Sequence, residues 1–118
     1  MVYPDRVVNV NVNVTYPVRA LDTVYQNTNN RPLLCIYRIR CLRGITNDST
    51  ASVIIEVQVS TPPTTQQAYV GIGSYGTGQE MLNFQAVFVV PPKWYYRVTS
   101  SVTATGVVQL ENKTEVVL

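Results

Sequence analysis

The run Val8-Asn9-Val10-Asn11-Val12-Asn13-Val14 alternates apolar and amide side chains without a break. Successive side chains of an extended strand point to opposite faces, so this run sets four valines on one face and three asparagines on the other. It reads as a half-buried outer strand. It also suits an arm that pairs with a neighbouring chain, since an early strand with an all-amide outer face is a template for strand addition. Residues 1–18 are therefore set apart as an N-terminal strand or an intersubunit arm, and residues 19–118 as one β-sandwich domain.

The period of two recurs along the chain. Leu33, Cys35, Tyr37, Ile39 and Cys41 share one face of a strand over residues 33–42, with Arg38 and Arg40 on the other. Val53, Ile55, Val57 and Val59 form the inward face of the next strand, which the proline-rich residues 60–65 end. A shorter strand covers residues 68–72. Leu82, Phe84, Ala86, Phe88 and Val90 give the longest inward face, closed by Pro91 and Pro92; then Trp94, Tyr96 and Val98 alternate with Tyr95, Arg97 and Thr99. Two last strands are expected at residues 102–110 and 114–118. Val occurs 21 times and Thr 13 times against 5 Ala, a balance that favours pleated strands because β-branched side chains crowd the preceding turn of a helix. Prolines fall between the periodic runs, where a missing N–H harms no ladder. The pattern predicts an all-β, single-domain β-sandwich of about seven to eight strands, jelly-roll-like in kind.

At 118 residues the chain has room for one hydrophobic core. No apolar run approaches the roughly 18 residues of a membrane-spanning helix, so no membrane partner is expected. Met1 to Arg6 lacks the features of a secretory signal, and synthesis in a cytoplasm is the expectation. Charged residues are only 14% of the sequence, which leaves a neutral, polar surface that like-charge repulsion protects poorly from association. The net charge is +2 with the cations scattered, so a groove tracking nucleic-acid phosphates is not expected.

The chain has no histidine. That removes the usual general base, the Ser-His-Asp and Cys-His arrangements and the commonest zinc ligand, so no catalytic residue, metal or cofactor is expected. The acids Asp5, Asp22, Asp48, Glu56, Glu80, Glu111 and Glu115 are dispersed and read as solvated turn and strand-face residues rather than a glycosidase pair. Residues Gly71 to Gly76 match G-x-G-x-x-G, but the dinucleotide fingerprint needs a helix to start there and an acid about 20 residues on. A strand follows and the acid is missing, so a hairpin or a close backbone approach is the expected role. Cys35 and Cys41, six residues apart on one strand, are separated by about 20 Å and cannot bridge each other; they read as small buried hydrophobes. Arg38, Arg40 and Arg43, with Arg31 nearby, either clamp a carboxylate on a partner or guard an edge from aggregation, the edge role being favoured. Eight tyrosines are enough to supply interface anchors or a sugar-stacking platform. Alternation turns Trp94 and Tyr96 inward and leaves Tyr95 facing out. The triplets at Asn13, Asn47 and Asn112 that fit the glycosylation acceptor are read as chance.

Two segments carry a resemblance. Residues 19–34 (RALDTVYQNTNNRPLL) place a tyrosine before an Asn/Thr-rich turn, a proline and a hydrophobic strand. Residues 89–98 (VVPPKWYYRV) place a Pro-Pro-x-aromatic turn before the next strand. Paired in this order, they resemble the small β-sandwich domains found at the tips of tailed-bacteriophage fibres and in other phage virion proteins, over roughly residues 19–111. Residues 112–118 and the valine-asparagine arm lie outside the match.

The resemblance implies a self-associating virion part, commonly a homotrimer, made in the host bacterial cytoplasm and located on the virion. Its partners would be other copies and further virion proteins such as the major capsid or tail proteins. The sequence contains no collagen-like or coiled-coil stalk, which favours a compact capsid decoration or comparable accessory protein over a whole fibre. The expected contacts are Val8, Asn9, Val10, Asn11, Val12 and Asn13 in the arm, with Arg38, Arg40 and Tyr95. The alternative is a host-recognition module at a tail or fibre tip that binds bacterial surface glycan through exposed Tyr and Arg.

Overall fold

The computed structural model describes residues 13–43, 50–63, 66–72 and 80–118. They form eight strands: β1 (Asn13–Thr15), β2 (Tyr25–Gln26), β3 (Leu33–Arg43), β4 (Thr50–Gln58), β5 (Gln66–Ile72), β6 (Glu80–Val90), β7 (Tyr95–Thr103) and β8 (Val107–Val117). One sheet has the order β1-β8-β3-β6 and the other β2-β7-β4-β5, and every pairing is antiparallel. Only β4 and β5 follow each other within one sheet, and every other connection crosses between the layers. This is the strand order of an eight-stranded jelly roll, so the all-β sandwich expected from the alternation is the fold.

The alternation explains the layering. Leu33, Cys35, Tyr37, Ile39 and Cys41 of β3 face Ala51, Val53, Ile55 and Val57 of β4, and all are buried. Phe88 and Val90 of β6 with Tyr96 and Val98 of β7 complete the buried centre, and Leu82, Phe84 and Ala86 pack against it half-covered. The rings of Tyr37, Phe88, Tyr96 and Tyr25 meet in sequence at 5.3, 6.2 and 5.9 Å between centroids, a column that crosses from one sheet to the other. Both cysteines are buried and unbridged. Burial, reinforced by the charge of Glu115, pushes the Cys35 thiol well above its usual range, which leaves it unreactive.

The two resembling segments meet in space through Asn27. Its buried side-chain amide donates to the carbonyls of Arg31 and Val90 at 2.9 and 3.0 Å, and its Oδ1 accepts from the Asn29 backbone N–H at 3.1 Å. The second contact is an Asx turn. Its own N–H donates to the Trp94 carbonyl, and the Lys93 N–H donates back to the Asn27 carbonyl. One amide thus ties the Asn/Thr turn to the Pro-Pro turn.

Several expectations are corrected. The last two strands are divided differently: β7 ends at Thr103, a turn over residues 104–106 passes the chain to the other sheet, and β8 then runs unbroken to Val117. Its register against β3 slips by one between Arg38 and Ile39, and Glu111 is the extra residue. A bulge therefore stands where the Glu-Asn-Lys sequence reads as a break. Val59 lies past the end of β4 and is 60% exposed, not inward. The connection after Gly71 joins β5 in one sheet to β6 in the other, so it is not a hairpin; residues 73–79 lie outside the described ones.

Candidate interaction surface

β3 is flanked by β8 and β6, so its arginines sit mid-sheet and guard no edge, contrary to expectation. They lie on the outward face of the β1-β8-β3-β6 sheet. The bulge carries Glu111 to the same face, where its carboxylate stands 3.7 Å from Arg38 Nε and 3.0 Å from Arg40 Nη2. A partner's carboxylate would have to compete with Glu111 for them. Arg31 is exposed, and the side chain of Arg43 lies outside the description.

The register lays this face out in rows. Val14, Val116, Leu34 and Val89 form one row across all four strands, and Thr114, Ile36 and Val87 form the next. Asn112, Arg38 and Gln85 follow, then Gln109, Arg40 and Asn83. The face is thus apolar at one end and amide- and arginine-rich beyond it. Val14, Val87 and Val89 are 42%, 62% and 49% exposed, and Val116, Leu34 and Ile36 between them are half-buried. A shallow concavity on the polar part is lined by Ile36, Arg38, Asn83, Gln85, Asn112 and Thr114.

The valines of the alternating run are expected inward with the amides outward. At the described end of the run the arrangement is the reverse. Asn13 stands opposite Val117 in the row of Leu33, on the inner side, while Val14 lies in the outward row. Val8, Asn9, Val10, Asn11 and Val12 lie outside the described residues. Tyr95, half-buried between Gln26 and Gln58, is on the outward face of the other sheet, as Tyr96 and Val98 point inward. Tyr95 and Arg38 therefore stand on opposite faces of the sandwich and do not build one site within a single chain.

A residue that sequence reasoning misassigned is Glu115, which is 3% exposed rather than solvated. Tyr37 and Tyr96 donate to its Oε2 at 2.5 and 2.8 Å. Arg19 completes the set with Nε to Oε2 and Nη2 to Oε1, both at 3.0 Å, while its guanidinium lies 4.5 Å over the Tyr25 ring. Burial works against the charge on Arg19, and its hydrogen bonds to Glu115 and Tyr96 outweigh that effect, so its pKa rises. The group joins β8 and β3 of one sheet to β7 of the other. Its only sequence signal is position, since Glu115 stands on the inward parity of β8, and that parity is hidden until the bulge is counted. Glu56 is likewise engaged, by Arg97 at 2.9 Å and by the Thr99 hydroxyl, and Asp22 accepts from the Ser100 N–H and hydroxyl. Among the described residues no three His, Cys, Asp or Glu side chains are grouped to hold a metal ion.

No protein-family model, curated protein or solved structure matches this chain.

Proposed function

We propose that this chain is a non-enzymatic bacteriophage virion structural protein, a small self-associating β-sandwich bound on the particle surface in a capsid-decoration or comparable accessory role. The apolar rows of Val14, Val116, Leu34, Val89, Ile36 and Val87, exposed at Val14, Val87 and Val89, carry the reading. An aliphatic row across all four strands, with Ile36 and Val87 beside it, keeps apolar area in water in the lone chain, and a companion subunit would remove it. The polar, sparsely charged rows beyond them supply the rim of such an interface. The sequence resemblance and the fold, which serves viral capsid and lectin domains alike, support the virion setting; a fold by itself hosts many functions. The test is immunogold labelling of purified virions with an antibody raised against the chain. Label on the capsid surface is expected, and particles free of label would overturn the proposal.

A second reading has its own observation. The concavity framed by Arg38, Asn83, Gln85 and Asn112 offers amide and guanidinium groups, a chemistry that suits a glycan hydroxyl array. A host-recognition module at a tail or fibre tip follows from it. Label confined to the tail tip, with glycan-array binding lost in Arg38→Ala, would favour this reading; it would rest on Arg38 without Tyr95.

A further inference from the structure

We infer that β6 is the self-association edge, and that a second copy of this chain adds its own β6 antiparallel across a two-fold axis at Gln85. The inference rests on the reading of the chain as self-associating and names the surface that does it.

Unpaired strand edges invite strand addition, and folded proteins blunt them with short strands, prolines, bulges, lysines or covering loops. Three of the four edges here carry such devices. On the β1 side, the length of β8 that no described strand pairs holds the Glu111 bulge and Lys113. β2 is two residues long, and beyond it a loop covers β7: the Asp22 N–H donates to the Val98 carbonyl, and its carboxylate accepts from Ser100. β5 carries a register irregularity against β4.

Within its own length β6 has no bulge, proline or lysine, and Pro91 and Pro92 lie past its end. It pairs with β3 over all eleven residues without a slip and has Glu80 at its end as its one charge. Among the described residues no strand lies on its other side. Leu82, Phe84 and Ala86 point inward yet stay half-covered, whereas Cys35, Tyr37, Ile39 and Cys41 on β3 are fully buried.

The strand is also complementary to itself. Gln85 is the midpoint of Glu80–Val90, so a two-fold axis there pairs the full length. Antiparallel register then sets Gln85 against its own copy, Phe84 beside Ala86, Leu82 beside Phe88 and Asn83 beside Val87. A large ring meets a methyl group on the inner face, the central amides meet on the outer face, and Glu80 falls opposite Val90, so no like charges oppose. A two-fold pair is a closed, isologous contact, in place of the threefold state that the resemblance implies.

The test uses the full chain with a single added cysteine, because Cys35 and Cys41 are buried. Directly opposed residues of an antiparallel pair lie about 4.5–5.5 Å apart at Cα, within disulfide reach. Gln85→Cys oxidised with diamide is expected to give a covalent dimer. Asn83→Cys, whose copy lies about 14 Å away by strand rise, is expected to give none. Gln85→Lys opposes two ammonium groups at the axis and is expected to weaken dimerisation about tenfold in sedimentation with an unchanged far-ultraviolet spectrum. A Gln85→Cys chain that stays unlinked while the protein is oligomeric would overturn this pairing and leave self-association standing. Equal cross-linking at positions 83 and 85, a trimeric mass, or indifference to Gln85→Lys would also overturn it. A chain that sediments as a monomer at every concentration would overturn both this pairing and the self-association it rests on.

Discussion

A carboxylate at 3% exposure survives folding only if its lost hydration is replaced, and around Glu115 two phenols and a guanidinium do so. Removing the charge while keeping the shape isolates that contribution. Glu115→Gln is expected to lower unfolding free energy by about 3 kcal/mol in urea denaturation, since it leaves the Arg19 charge uncompensated and turns an NH2 toward donors that had a carboxylate oxygen. The same group sets an alkaline limit. Burial, with the hydrogen bond to Glu115, pushes the Tyr37 and Tyr96 phenols above tyrosine's usual value near 10. The folded state therefore keeps protons that the unfolded state releases. Their stabilising contribution is whole below about pH 10 and falls as pH rises above it, by up to about 1.4 kcal/mol per pH unit for each phenol. Tyr37→Phe should lower stability at pH 7 and flatten the decline above pH 10, as read by denaturation at a series of pH values.

The elements show which parts of the fold were legible before the structure. β3, β4 and β6 were, because a period of two over 9–11 residues admits one pleat and one inward face. The bulge at Glu111 was not, since one extra residue flips the parity beyond it and leaves no trace in composition. The candidate site was half legible for the same reason. The outward arginines follow from the parity of β3, whereas their capture by Glu111 and the apolar row through Val14 depend on which strands become neighbours, and alternation within one strand carries nothing of that. The turn between β7 and β8 supports a paired prediction. A Cβ on Gly106 would lie 2.0 Å from the Thr50 carbonyl oxygen, inside backbone of the facing strand. Gly106→Ala should therefore cost about 2 kcal/mol through forced displacement. Ala104 in the same turn has φ of 51°, a conformation that strains an L-residue. Ala104→Gly is expected to raise stability by about 0.5–1 kcal/mol. Opposite shifts in melting temperature from two substitutions two residues apart would check the geometry of the turn.

At the scale of the molecule, two layers bury a common core, and among the described residues the β1-β8-β3-β6 sheet keeps exposed valines on its outer face and no strand beyond β6. A jelly roll that acts alone has reason to cover such valines and such an edge; one that lives among companion subunits leaves both for them. The proposed function stands on that contrast, with the low charge of the chain removing the repulsion that would oppose close approach. Hydroxyl-radical footprinting of the chain within its native assembly, set against the dissociated chain, tests it most directly. Side-chain oxidation at Val87, Val89 and Leu34 is expected to fall several-fold on assembly while Val59, which lies outside that face, is unchanged. Equal oxidation at Val87 and Val89 in the two states would contradict the account.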